Sequence, residues 1–371
     1  MAEALKEMYN RAYLNDLAVA ISDFYLPFDG EAFSAGIFDG GWEERALKER
    51  MRHITLTLRP LLPDSYREAL TILRQAAPTL SEYGFENMIF PDFVEVYGLD
   101  DWDASLPALE QFTQLISAEF AVRSFIIQDQ ERMMAQMLAW TDHEHEGVRR
   151  LASEGSRPRL PWGIALPALQ ADPSPILPIL ERLKDDPSES VRRSVANNLN
   201  DISKDHPGVV IDLLQCWQKD ENSNQAEIEW ITSQALRTLV KKGHPGALEL
   251  LGYSPYPAVE IRNLKAEPEI VSIGHDVAIT FEIASLGETK QKLMVDYVVY
   301  LMRANGRQTP KVFKLAKKEI APGETISIRK KHSFQPVTTR KYYPGQHAVE
   351  IQINGRRFGR RDFMVSSTGQ A

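Results

Sequence analysis

Through roughly the first two thirds of the chain, apolar residues recur at steps of three and four, as at Leu177, Leu180 and Leu183 or at Met133, Met137 and Leu138. That spacing paints one face of an α-helix. Pro27, Gly40-Gly41, Pro60, Pro63, Pro91, Pro173, Pro207 and Gly243 interrupt it, while Ser65 and Asp172 stand where a helix start needs a capping oxygen. The first 252 residues therefore read as helix after helix. At Tyr253-Ser-Pro-Tyr-Pro257 the pattern changes: Val277–Ile283, Leu293–Leu301, Thr325–Ile328 and Val349–Ile353 are rich in β-branched and aromatic residues. Asn354-Gly355 is a hairpin-turn dipeptide. About seven short strands over about 110 residues fit an immunoglobulin-like sandwich. The only cysteine is Cys216, so the disulfide of antibody domains is absent.

The helical part repeats itself. Trp140–Glu154 aligns with Leu183–Asn197 at an offset of 43 residues, matching Asp142 with Asp185, Glu146 with Glu189, Val148 with Val191, Arg149 with Arg192 and Arg150 with Arg193. A weaker echo follows at Ala235-Leu236-Arg237. A period in the low forties built on Val-Arg marks HEAT-like helical pairs, which stack into a solenoid because no pair buries its own apolar face. Val191 and Val195 are expected inside the stack, with some of the paired arginines lining its concave face. The expected fold is thus multidomain, α then β: a HEAT-like α-helical solenoid over 1–252, a linker over 253–258, and a basic immunoglobulin-like β-sandwich over 259–371.

Charge alters the picture of what the chain binds. The net charge is −8, yet from Ala258 onward 19 Lys and Arg face 11 Asp and Glu, a balance of +8 that leaves −16 on the rest. An acidic scaffold joined to a polyanion-seeking module explains this, as does chance segregation of surface charge. No apolar run reaches the roughly 20 residues of a membrane span, and the N-terminus has neither the basic start nor the apolar stretch of a signal. One cysteine and no Cys/His cluster imply no disulfide, no metal and no cofactor. A monomer of the cytoplasm is the expectation.

Three carboxylates stand out. Glu119 lies in a segment, Ile116–Ile126, apolar enough for a buried helix, where Arg123 also offers it a simple helical ion pair. Glu154 is expected in the last turn of a helix ended by a left-handed Gly155, where the dipole disfavours a carboxylate. The loop after it, Ser156–Trp162, combines two stiffening prolines with Arg157, Arg159 and Trp162, a set suited to nucleic acid or to a plain connector with Trp162 packed inward. Asp201 follows three asparagines, Asn197, Asn198 and Asn200, whose amides contact phosphate, orient a carboxylate or cap a helix. Phe24, Tyr25, Phe33, Phe38 and Trp42 are expected in the core.

Glu119–Ile126, Ser153–Trp162 and Ser194–Pro207 resemble the DNA alkylation repair glycosylases of the HEAT-like repeat superfamily, AlkC type, which carry an added immunoglobulin-like domain. The resemblance spans essentially the whole chain. It implies hydrolysis of the N-glycosidic bond of small cationic alkylated bases, N3-methyladenine foremost, in double-stranded DNA without base flipping. It also implies Glu119 and Glu154 as active-site carboxylates, Trp162 against the deoxyribose, and Asp201 as a third group. Arg149, Arg150, Arg157, Arg159, Arg192, Arg193, Asn197 and Asn198 are then candidate DNA contacts on the solenoid. The run Arg356, Arg357, Arg360 and Arg361 at a hairpin, with Lys330 and Lys331 nearby, is a second grip on the minor groove or a charged edge that prevents strand pairing. The competing function is a non-catalytic HEAT-repeat scaffold binding DNA or protein.

Overall fold

The computed structural model describes residues 5–337 and 340–367, so positions 1–4 and 368–371 at the ends of the two expected domains lie outside it, as do 338–339. Among the described residues, sixteen α-helices precede eight strands; the last helix ends at Leu250 and the first strand starts at Val259. The chain forms two compact units. One comprises Met1–His206 with Asp220–Ala235; the other takes Pro207–Lys219 and Leu236–Ala371.

In the first unit the repeat becomes two stacked helices, Glu146–Gly155 and Glu189–Ile202. Val148, Val191 and Val195 are fully buried, as the pattern requires. The first arginine of each Val-Arg-Arg faces inward instead of toward a ligand. Arg149 donates from Nε to Asp186 Oδ2 at 2.6 Å and from Nη1 to the carbonyls of His143 and Glu144. Arg192 donates to the Asp186 carbonyl and pairs with Glu227 Oε1 at 2.9 Å. Each thus ties the loop before its own helix, or its own helix, to the following repeat. This corrects the reading of Arg149 and Arg192 as DNA contacts: their guanidinium groups are spent on the stack.

Two local expectations also change. Gly155 lies within its helix, which ends on Ser156 at φ −85°, so it is not a left-handed cap. A Cβ there would meet Val122 Cγ2 at 2.6 Å, so close helix packing explains the glycine. Of the N-terminal aromatics, Phe33 and Trp42 are buried and Tyr25 and Phe38 half-buried, but Phe24 is exposed.

The second unit is a sandwich. Its strands are β1 (Val259–Glu267), β2 (Ile270–Ser272), β3 (Asp276–Ser285), β4 (Gln291–Met302), β5 (Gln308–Ile320), β6 (Thr325–Ser333), β7 (Gly345–Ile353) and β8 (Arg356–Ser366). One sheet has the order β1-β3-β6 and the other β2-β8-β7-β4-β5, with only β2 and β8 parallel. Inward residues such as Val277, Ile279, Phe281, Val295, Val299 and Ile351 alternate along the strands and fill the space between. Asn354-Gly355 does connect β7 to β8, with both residues at positive φ as the turn requires.

That turn is not free to enter a groove. A Cβ on Gly355 would come within 2.0 Å of Gly243 Cα, and Asn354, itself buried, donates to the carbonyls of Ser254 and Lys292. The arginines lie along β8 instead. Arg357 and Arg360, three apart, would alternate across a regular strand; the bulge opposite Glu350/Ile351, where Gly359 has φ 58°, restores them to one face. There Arg357 Nη1 donates to Tyr300 Oη at 3.2 Å and the Arg360 guanidinium lies 4.6 Å from the same ring. Lys330 and Lys331 belong to β6, in the other sheet from the β8 arginines.

Candidate active site

Glu154 ends its helix among the last four carbonyls, which have no partners within the helix. Each finds one locally. Ser156 Oγ donates to Ala152 O at 2.8 Å and Asn198 Nδ2 to Ser153 O at 2.8 Å. The Arg157 N–H reaches Glu154 O at 3.3 Å, and Arg123 Nη1 reaches Gly155 O at 3.0 Å. With the backbone satisfied, the Glu154 side chain is left for other partners. Asn198 is buried in this task, which corrects its assignment as a DNA contact.

The carboxylates form a continuous chain of hydrogen bonds and ion pairs. Glu119 Oε2 accepts from Ser117 Oγ at 2.9 Å and from Arg150 Nη1 at 3.1 Å. Arg150 Nη2 lies 3.8 Å from Glu154 Oε1, which accepts from Arg157 Nη1 at 2.6 Å; Oε2 accepts from Ser194 Oγ at 2.6 Å. Arg157 Nε donates to Asp201 Oδ2 at 2.8 Å, and Lys204 Nζ to Asp201 Oδ1 at 2.7 Å. Both Glu154 and Asp201 sit in the last turn of a helix, and Arg157 supplies the positive charge that this end of the dipole favours. Burial works against the Arg157 charge, but Glu154 and Asp201 outweigh it and hold its pKa above the ordinary value. Arg157 is thus the buried link between two carboxylates, and the reading of it as a phosphate contact is corrected.

Glu119 precedes the helix Ala121–Gln128, so it lies in a turn, and Arg123 is not its helical partner. Arg123 points the other way, into a fully buried niche, and donates to the carbonyls of Gly155, Arg157 and Ile164. Burial and the neighbouring Arg157 charge push its pKa down to about 10. It holds the Pro-rich loop by both ends. At the tip of that loop Trp162 adopts φ 64° and is 63% exposed, so it is not packed inward.

Exposure grades the three carboxylates: the side chains of Glu119, Glu154 and Asp201 are 17%, 7% and 2% accessible. Asp201 lies inside its helix, whereas Asn200 does serve a helix end: its Nδ2 donates to Ala235 O, the last carbonyl of the helix Gln225–Ala235, at 2.8 Å. Arg159 pairs with Asp205 and Arg193 with Glu189, both at the surface. Asn197 is half-buried. Among the described residues no group of His, Cys, Asp and Glu is arranged to hold a metal ion, and no helix is long and apolar enough to cross a membrane. The residues missed in the sequence are Ser117, Ser194 and Lys204, which sit beside the carboxylates, and Arg123, which was seen only as a pairing option.

A Bacillus subtilis (strain 168) relative, "Uncharacterized protein YhaZ", is 45% identical over 361 residues, covering 97% of this chain and 99% of its own. The Pseudomonas fluorescens alkylpurine DNA glycosylase AlkC, solved bound to DNA containing an abasic site analog, is 39% identical, with a TM-score of 0.92 over 98% of this chain and 99% of that one. The chain belongs to the AlkC-type glycosylase family. A family described as "Uncharacterised protein YhaZ, C-terminal Ig-like domain" matches residues 260–367, in agreement with the AlkC-type architecture of a helical region followed by an immunoglobulin-like domain. The resemblance drawn from the motifs and the HEAT-like α-then-β fold are both upheld. In this AlkC-type chain, two of the motif segments also meet here: Glu154 and Arg157 come from one, and Ser194, bonded to Glu154, and Asp201, bonded to Arg157, from another.

Proposed function

We propose that this protein is a DNA N-glycosylase that releases small cationic alkylated purines, N3-methyladenine foremost, from duplex DNA as a step in base excision repair. It acts as a monomer in the cytoplasm and leaves the base within the helix. The observation that carries this reading is the chain Glu119–Arg150–Glu154–Arg157–Asp201 beside a loop that presents Trp162 to solvent.

Methylation at N3 leaves the base positively charged, so it departs neutral when the C1′–N bond breaks and its electron pair goes to the base. No general acid is required. The positive charge left on the sugar needs fixed negative charge nearby, and preorganised carboxylates supply it without reorganisation. Glu154, locked by Arg157 and Ser194, is suited to that electrostatic task. Glu119, the most accessible of the three, is suited to take a proton from the attacking water. Asp201 acts mainly through Arg157, and the electron-rich face of Trp162 packs against the cationic sugar. Arg150, Arg159 and Arg193 on the helical unit, and Arg356, Arg357, Arg360, Arg361, Lys330 and Lys331 on the sandwich, are the phosphate contacts of this reading.

The test is release of free N3-methyladenine from alkylated duplex DNA. The wild-type chain releases it; Glu154→Gln slows release at least about tenfold, equivalent to about 1.4 kcal/mol, while binding to an abasic duplex persists. No release by the wild type at any protein concentration overturns the reading in favour of a binding scaffold.

A further inference from the structure

We propose that Lys48 is a positioning residue for Trp162, holding the loop tip in the conformation that sets the indole. The inference rests on the reading of Trp162 as the side chain that packs against the sugar. Lys48 is the second residue of the helix Leu47–Leu58. A cation there faces the positive end of the helix dipole, so it does its own helix no service. The start of that helix is already served by Glu49, whose carboxylate accepts from the Ala46 N–H at 2.7 Å. A residue that breaks a local preference calls for another partner.

Lys48 has two direct contacts, both at the site, and its charge also attracts the Glu95 carboxylate. Its Nζ donates to the Trp162 carbonyl at 3.0 Å, across 114 positions of sequence, and lies 4.5 Å from the centroid of the Phe120 ring. Phe120 directly follows Glu119. One ammonium therefore joins the backbone of Trp162 to the residue beside the most accessible carboxylate.

Trp162 needs such a hold. At φ 64° it occupies the left-handed region, which disfavours a bulky side chain. The loop is fastened at its ends by Arg123, which donates to the carbonyls of Arg157 and Ile164, and inside by Gly163 N–H to Leu160 O at 3.2 Å. Those bonds leave the Trp162 carbonyl to Lys48. The Phe85 ring meets the indole edge-on at 6.5 Å between centroids. Without the ammonium, the peptide after Trp162 rotates toward an ordinary φ and the exposed indole swings with it. The N-terminal segment, silent in the sequence, thus supplies Lys48 and Phe85 to the site.

Lys48→Met keeps the aliphatic stem and removes the donor. We expect about tenfold slower single-turnover release of N3-methyladenine, with affinity for an undamaged duplex within about twofold of wild type. Lys48→Arg restores most of the rate. In a Trp162→Ala background, Lys48→Met costs less than about twofold, because the two residues act in series. Additive losses, or a wild-type rate in Lys48→Met, overturn the inference. So does weaker binding to undamaged DNA with a shallower salt dependence, which makes Lys48 a phosphate contact. A second readout is independent of catalysis: the tryptophan emission lost on Trp162→Phe. Its quenching by iodide changes in Lys48→Met, and unchanged quenching overturns the inference. Absence of release from the wild type itself sinks the proposed activity instead, and the emission measurement still decides the role of Lys48.

Discussion

The two copies of the Val-Arg-Arg repeat share a scaffold and part company at their ends. In both, the valine is buried and the first arginine ties successive repeats together. The second arginine diverges: Arg150 bridges Glu119 and Glu154, whereas Arg193 pairs with Glu189 at the surface. Further on, Glu154 corresponds to Asn197 and Arg157 to Asn200. At these matched positions the first copy carries a buried ion pair and the second neutral amides, with Asn200 donating to Ala235 O; the neighbouring Asp201 reaches back to the first copy's Arg157. What repeats is structure, and what fails to repeat is the candidate chemistry.

The sharpest way to break this contrast is at Arg157. Its removal leaves Glu154 and Asp201 facing each other without their shared cation, and both are buried. We expect Arg157→Ala to lower unfolding stability by about 3–5 kcal/mol, read from denaturant melts. The equivalent Asn200→Ala removes a neutral hydrogen bond and costs about 1 kcal/mol. Equal losses refute the idea that this matched position holds a buried charge in the first copy and only a neutral hydrogen bond in the second.

Next come the shared arginines. Arg149→Ala strips Asp186, nearly inaccessible, of its bidentate partner. A loss of about 2 kcal/mol is expected, above that of a neutral hydrogen bond because the abandoned group is charged. Arg192→Ala costs less, since Glu227 retains access to water. Base release and DNA affinity at a temperature where both variants stay folded remain near wild type. A selective fall in DNA affinity marks these arginines as phosphate contacts after all.

The contrast also explains what was legible beforehand. Periodicity shows helices, strands and the inward valines, because burial acts on neighbours a few residues apart. A repeat, by the same logic, advertises the scaffold it conserves within one chain, which is why Arg149 and Arg192 drew attention as binding residues and proved to be staples. Glu154 was visible because it violates the dipole preference at its helix end. Its partner was not: Arg157 and Asp201 are joined across 44 positions, and nothing local in either segment states that pairing. Backbone details escaped for a similar reason. The Gly359 bulge that brings Arg357 and Arg360 to one face, and the left-handed Trp162, depend on partners in other elements.

The smallest expected effect is the most discriminating for the second copy. Arg193 is 62% exposed in its side chain and pairs with Glu189 one turn away. Such a pair contributes at most about 0.5 kcal/mol, so Arg193→Ala leaves stability within that margin. If the arginine also meets a DNA phosphate, as proposed, affinity falls alike for damaged and undamaged duplexes, and the slope of log affinity against log salt becomes shallower by about 0.9. The rate of release from bound DNA stays the same, because nothing links Arg193 to the carboxylate chain. Titrations at several salt concentrations read the slope directly. An unchanged slope reduces Arg193 to a solvated helix pair and confines the DNA-facing charge of the repeats to the copy that holds Glu154.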